Sequence, residues 1–400
     1  MRVARAAVEA GTWASIDAGI AELARRTRIL PALHPRNAAG ERARLEEELA
    51  RGELPTPRWD PLERHDARGL FVAIDRAREA VERHLPPQLG ALYAARLDEL
   101  ELDAALLEAL GDPRRVRPLV ARRYGTGAQV VDGRAVRDVA RSVLEALAPE
   151  DEPRTVPAEA LAEMMLRTAR AVGLCPKVRI EPRLSAGAAA GDHTIFVQAR
   201  TFGAIESRRL VAHEVLGHAL ASHRALGERL RLFEIGTAGS FADQEGLAIA
   251  LEEQAGGLDP ARLRVLAARV VATDRMHEGA SFGETARGLV DRWGLSARVS
   301  IGITERAYRG GGVARDAAYL EGFLRVRSAL SRGEATIEAL RAGRVSVGAL
   351  PMLRWAADHG WCAPPGPRTT PSASDALAIG GCPPALPEVT RARVASLLPS

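Results

Sequence analysis

Aromatic residues make up only 4% of the 400-residue chain. With so few large rings, a core of any size must be filled by Ala, Leu and Val. Cysteine is scarcer still. Cys175, Cys362 and Cys382 lie far apart and form no C-x-x-C pair, which excludes a disulfide framework and a cysteine-based zinc site. An odd, small number of cysteines reads as free thiols in a reducing compartment. Lysine is almost absent: Lys177 is the only one, so the formal charge of +4 is an arginine charge. Those arginines are spread along the chain, without a basic run and without aromatic interleaving. They read as the coding habit of a GC-rich genome, and nucleic-acid binding is not expected. Missing too is any uninterrupted apolar run of the ~18 residues that a membrane span requires. The N-terminal stretch "MRVARAAVEAGTWASIDAGIAELARRTRIL" is broken by Glu9, Asp17 and Glu22. That is an amphipathic helix pattern rather than a signal peptide. The expectation is a cytoplasmic protein with no membrane partner.

What is present is helix. Residues 1–155 carry repeated apolar positions at helical spacing, as in "GLFVAIDRAREAVERHL" and "GALYAARLDELELDAALLEALG". Joints such as "GELPTPRWDP" and "HLPPQLG" separate them. The region reads as a helical bundle supporting something else. The Pro- and acid-rich joint "APEDEPRTVPAEA" (148–160) marks a boundary. A second region, 156–362, follows. It opens with a helix and two strand-like runs, "KVRIEP" and "HTIFVQ", separated by the Gly/Ala-rich loop "SAGAAAGD". Alternation in His193-Thr194-Ile195-Phe196-Val197 predicts a strand with one buried face. Such a strand is also a candidate edge for adding an extended peptide. Further helices complete the region, and 363–400 reads as a Pro-rich tail extended over the surface.

The chemistry is concentrated in "RRLVAHEVLGHALASH" (208–223). His213-Glu214-Val215-Leu216-Gly217-His218 is the zinc-peptidase pattern H-E-x-x-H with one extra residue. On a regular helix, the present spacing sets the two imidazoles roughly 140° apart, where H-E-x-x-H sets them roughly 40° apart. Two readings stand on spacing alone. Either the helix widens locally into a π-bulge, with Gly217 tolerating the distortion, and both histidines share one ion, or the two histidines only happen to lie near each other on a buried helix. Glu214 adds weight to the first, because a carboxylate in so apolar a segment needs a partner.

Three elements together resemble a known family. "LVAHEVLGH" is followed by Asp243-Gln244-Glu245-Gly246-Leu247-Ala248, and then by "ERAYRGGGVARDAAYLEGF". In this order they resemble the QEGLA-motif proteins, a family that includes the microtubule-associated tyrosine carboxypeptidases. Its marks are an H-E-x-x-x-H helix, a Q-E-G-L-A segment and an R-x-x-R-G-G…K-D-x-x-Y-L-x-G element. Arg315 stands here where the family usually has lysine. The resemblance runs over 158–361 and more weakly through the N-terminal helices. It implies a zinc ion held by His213, His218 and Glu245, on an α+β, mostly helical, zincin-like catalytic domain with a small sheet. Asp243 is expected to cap the helix that carries Glu245. His223, Glu234, Glu252 and Glu253 are the rival ligands, with Glu252 and Glu253 expected on a solvated helix face.

Three protein ligands leave a catalytic zinc one position for water, which Glu214 would deprotonate as general base. The developing oxyanion needs a further donor. Tyr319 is favoured, because it falls in the family element, over Tyr308, Arg309 and His277. Arg309 or Arg315 could hold a peptide's terminal carboxylate. His34, His65, His84, His193 and His359 have no ligand-spaced partners. The expected function is a zinc-dependent peptidase cutting at or near a peptide C-terminus. The alternative is a zinc-stabilised, non-catalytic peptide-binding or regulatory module. The tyrosine preference of particular family members is not carried over.

Overall fold

Aliphatic residues fill the interior, as the shortage of aromatics requires. Of the largest fully buried side chains, only Tyr93, Phe202, Phe233 and Phe323 carry rings, and the remainder are Leu and Ile. The computed structural model describes residues 2–149, 152–182, 184, 186–191, 193–364 and 371–399. Parts of the acidic joint (150 and 151), of the Gly/Ala-rich loop (185 and 192) and of the tail (365–370) lie outside the described residues. The protein is α+β and mostly helical, with small sheets. No described helix is long and apolar enough to cross a membrane.

The chain divides into two units. The first comprises residues 1–148 and 264–321, the second 149–263 and 322–400. The units are therefore not continuous stretches of sequence: 264–321, expected to belong with 156–362, groups with the first 148 residues.

In the first unit the helices Arg2–Arg26, Arg68–His84, Pro87–Ala109 and Pro113–Tyr124 pack in succession, with Ala297–Gly312 against the last of them. A two-stranded hairpin, Val130–Val131 with Arg134–Ala135, is a small addition. Phe282 anchors one cluster with Leu45, Leu49, Ala286 and Ile301, and meets Trp59 and Tyr308 edge-on at 5.8 Å each. The triple glycine at 310–312 has positive φ throughout. It lies against protein chain: a Cβ on Gly310 would fall 2.6 Å from Leu33 Cδ2, and one on Gly311 3.3 Å from the backbone of Gly111 and Asp112.

The second unit holds the sheet. Thr194–Gln198 is its central strand, parallel to Lys177–Glu181 and antiparallel to Ala188–Ala190. Ile195 and Val197 are buried, as the alternation predicts. The strand is not an edge, however. Ala188–Ala190, read from sequence as loop, forms the edge beside it. Three alanines carry no β-branched signal, so what makes them a strand is backbone pairing to Thr194–Gln198. After the sheet the chain enters a long helical run over 204–226. Its first N–H groups lack an intrahelical partner, and the Glu152 carboxylate accepts from Ile205 N at 2.5 Å and Glu206 N at 3.2 Å.

The C-terminal segment is not an extended tail. It forms helices Ala373–Ile379 and Glu388–Ala395, with Ala376, Leu377, Val394 and Leu398 buried. Ser372 caps the first of them by accepting from Asp375 N at 3.2 Å. The segment is tied down by Arg208 Nη1 to the Pro383 carbonyl, 2.8 Å, and by Leu386 N to the Gly256 carbonyl, 2.9 Å. Its Pro/Gly/Ser-rich composition masks four apolar anchors.

Candidate metal centre

The helical run over 204–226 is α-helical at both ends and π-helical at Ala212–Ala219. The wider turn removes the angular mismatch of the five-residue spacing. His213 Nε2 and His218 Nε2 come to 3.1 Å, with the rings edge to face at 4.8 Å. Gly217 does not owe its place to φ, since it is absent from the positive-φ glycines. A Cβ there would lie 3.0 Å from Ala248 Cβ and 3.3 Å from Ala248 Cα. The glycine lets the helix Ser240–Gln254 approach closely.

That second helix delivers Glu245. Its Oε2 lies 3.4 Å from His213 Nε2 and 3.6 Å from His218 Nε2. Each neighbour in the Asp243–Ala248 segment helps to place it. Gln244 Nε2 donates to the carbonyls of Leu340 and Val345, at 3.0 and 2.8 Å. Gly246 backs onto another helix, where an added Cβ would fall 2.2 Å from the Gly322 carbonyl group. Leu247 and Ala248 are fully buried. Asp243 is not the helix cap. Gly239, at φ +79°, holds that position, and the Asp243 carboxylate accepts from Arg325 Nε at 2.7 Å and Val347 N at 2.8 Å. It fastens the helix sideways to the chain that follows.

The three donor atoms suit one small cation. A tetrahedral ion with bonds of about 2.0–2.1 Å sets its ligands roughly 3.3 Å apart, and the three separations here are 3.1, 3.4 and 3.6 Å. Among the described residues, His213, His218 and Glu245 form the metal-competent group. The charge balance agrees. Burial alone would depress the His213 imidazolium, but the Glu245 and Glu252 carboxylates outweigh it and push its pKa up to about 10. Burial would raise Glu245, yet His218 and His213 hold it well below the usual carboxylate range. Two carboxylates around the pair, Glu252 buried and Glu245 half-buried, call for positive charge among the ring nitrogens, as protons or as a metal ion.

Glu214 lies in the π turn and is buried. Its Oε2 accepts from Ala190 N at 2.8 Å, on the edge strand. Burial pushes its pKa up; His213 and His218 pull it down, Glu245 adds to the rise, and the balance is upward. Such a carboxyl group exchanges a proton nearer neutrality than an exposed one.

Glu252 overturns its expected placement. It is fully buried, not on a solvated face, and its Oε1 lies 2.7 Å from His213 Nδ1. Burial would raise its pKa, but Arg262 and His213 bring it down to about 2. A sequence signal existed: Glu252 follows Glu245 by seven residues, roughly two helical turns, so the two share a face. Glu253 points elsewhere and pairs with Arg327 at 3.3 Å. His223 is exposed and Glu234 half-buried, and neither joins the group.

Tyr319, Arg309, Arg315, Tyr308 and His277 all belong to the first unit. Arg269 lies over the Tyr319 ring at 5.2 Å, and Arg315 over the Tyr124 ring at 5.4 Å. Arg309 is buried, its Nε without a hydrogen bond and its nearest carboxylate, Glu305, at 3.9 Å. The Tyr308 hydroxyl is committed to Thr285 and to the Ala280 carbonyl, both at 2.7 Å. The metal group itself lies in the second unit.

No curated protein and no solved structure matches the chain. A family model does: that of the microtubule-associated tyrosine carboxypeptidases matches residues 48–378. The matched span takes in the widened histidine helix, the glutamate helix and the triple-glycine element alike, and by it the chain belongs to the microtubule-associated tyrosine carboxypeptidase family.

Proposed function

We propose that the protein is a zinc-dependent peptidase, with a zincin-like catalytic domain, that releases residues at or near a peptide C-terminus in the cytoplasm. The observation that carries this reading is the placement of Glu214. A buried carboxyl group directly follows His213 of the metal-competent group and accepts a hydrogen bond from the edge strand of the sheet. His213, His218 and Glu245 would hold the zinc ion. When bound, zinc acts as a Lewis acid, lowering the pKa of water and polarising a carbonyl group.

The protein's own groups do the rest. Glu214 is oriented through Oε2 by Ala190 N, which leaves Oε1 to accept a proton from the attacking water. As the water oxygen bonds to the peptide carbonyl carbon, that proton rests on Glu214. It passes to the amine nitrogen as the C–N bond breaks. The edge strand supports the substrate side of the reading. Gly191 N to Thr194 O and Gln198 N to Gly187 O set the pairing pattern with the central strand. Ala188 is buried, but antiparallel alternation also turns the C=O of the half-buried Ala190 outward beside its N–H, where an extended peptide can pair with it. Tyr319 as oxyanion donor, and Arg309 or Arg315 for a terminal carboxylate, are further assignments. Their support is the sequence element they share.

Paired peptides with free and amidated C-termini, digested by zinc-loaded protein and read by mass spectrometry, test the function. The free peptide loses single residues from its C-terminus and the amidated one stays intact. Equal cleavage of both would make the protein an endopeptidase and remove the carboxylate role of Arg309 and Arg315. Cleavage of neither would favour the non-catalytic binding module.

A further inference from the structure

The histidine nearest the general base is gripped from its far side. While His213 Nε2 faces His218 and Glu245, His213 Nδ1 lies 2.7 Å from Glu252 Oε1. Glu252 has no exposed surface, and a lone carboxylate there would be costly. Arg262 answers it with a fork: Nη2 to Oε1 at 2.9 Å and Nε to Oε2 at 3.1 Å. Arg262 is itself held where a helix opens at Pro260. Its backbone N–H donates to Asp259 Oδ1 at 2.6 Å, and the other Asp259 oxygen takes Arg209 Nη1 at 3.4 Å. Arg209 belongs to the turn just before the π segment. The chain of contacts therefore returns to the helix that carries His213.

We propose that Glu252 and Arg262 form a positioning pair that fixes the ring of His213 for metal binding. The inference rests on the metal-centre reading and deepens it. A carboxylate at Nδ1 keeps the hydrogen on that nitrogen, so Nε2 presents a lone pair toward His218 and Glu245. It also fixes the ring's rotation, since a π turn does not constrain the side-chain torsions of His213. Arg262 holds Glu252 to this role: its fork occupies both oxygens and fixes the plane of the carboxylate. A helix-to-helix ion pair with a purely structural role would need the Arg262 contacts only. The added contact to a ligand's ring is what marks Glu252 as positioning.

The test is zinc affinity by chelator competition for full-length wild type, Glu252→Gln, Glu252→Ala and Arg262→Gln. It is combined with the nitrogen-15 spectrum of the histidine rings in the zinc-loaded proteins. Losing a group that orients a ligand costs about 10–100-fold in metal affinity. That loss is expected for Glu252→Ala, with a smaller one for Glu252→Gln and for Arg262→Gln. In wild type, the His213 Nδ1–H signal should be strongly hydrogen-bonded and slow to exchange, and Glu252→Ala should lose it. Should Glu252→Ala not fold, the near-isosteric Glu252→Gln decides. Wild-type affinity and an unchanged ring signal in Glu252→Gln and Arg262→Gln would overturn the inference while leaving the metal centre intact. No zinc uptake by wild type would overturn the metal-centre reading, and the inference with it.

Discussion

Glu214→Gln is expected to retain the fold and bind zinc as tightly as wild type, yet hydrolyse peptide at least ~100-fold more slowly, the low end of what general acid–base catalysis contributes. The amide keeps the size of the side chain and can still accept from Ala190 N through its carbonyl oxygen. It lacks a basic oxygen to take the proton from water. The loss belongs in kcat, because Glu214 is not one of the three donor atoms and removes no ground-state contact to a peptide on the edge strand. A hundredfold loss corresponds to about 2.7 kcal/mol of transition-state stabilisation. Steady-state kinetics beside zinc content separates the possibilities. A variant that loses zinc with its activity would make Glu214 a ligand. A variant as fast as wild type would remove it from the chemistry.

The second large effect is expected at Glu245. Glu245→Ala deletes one of three donors, and the two histidines alone should hold zinc more than ~100-fold more weakly, beyond the range expected for a supporting residue. The helix should survive the change, since its position is fastened by Asp243 and Gln244 and by the close approach of Gly246 to Gly322. Circular dichroism checks the fold, and dialysis against a chelator followed by metal analysis checks the loss. Wild-type retention in this variant would mean that another side chain is the third ligand. The contrast with Glu252 is one of degree: both variants weaken binding, and Glu245→Ala should do so by more.

The legible and illegible parts of the site follow from physics. A five-residue histidine spacing conflicts with an angle of ~100° per residue, so it demands a π turn only if both histidines share one ion, a premise that the family resemblance supplies and the spacing does not. Glu245 belongs to a motif in which every letter proves to have a packing or bonding role. The seven-residue spacing from Glu245 puts Glu252 on the same helix face, but glutamate is normally a surface residue, and what makes its burial tolerable is its partner. That partner, Arg262, lies ten residues away on another helix, a pairing no periodicity encodes. The edge strand escapes for a different reason. Ala188–Ala190 has no side-chain pattern, and its conformation is dictated by the backbone of Thr194–Gln198. Asp243 shows a third kind of difference. An aspartate near a helix start suits a cap, but the chain begins its helix at Gly239 and commits the carboxylate to Arg325 and Val347 instead. The C-terminal helices are hidden by composition, since Ala376, Leu377, Val394 and Leu398 are few among prolines, glycines and serines.

The most direct test of the central claim is a zinc titration of chelator-stripped wild-type protein, with release of the C-terminal residue from a free peptide measured at each step. Activity should rise from baseline in proportion to added zinc and level off at one ion per chain, the capacity of a single group made by His213, His218 and Glu245. Activity that is full in the stripped protein, or that stays at baseline when one ion per chain is bound, would contradict it.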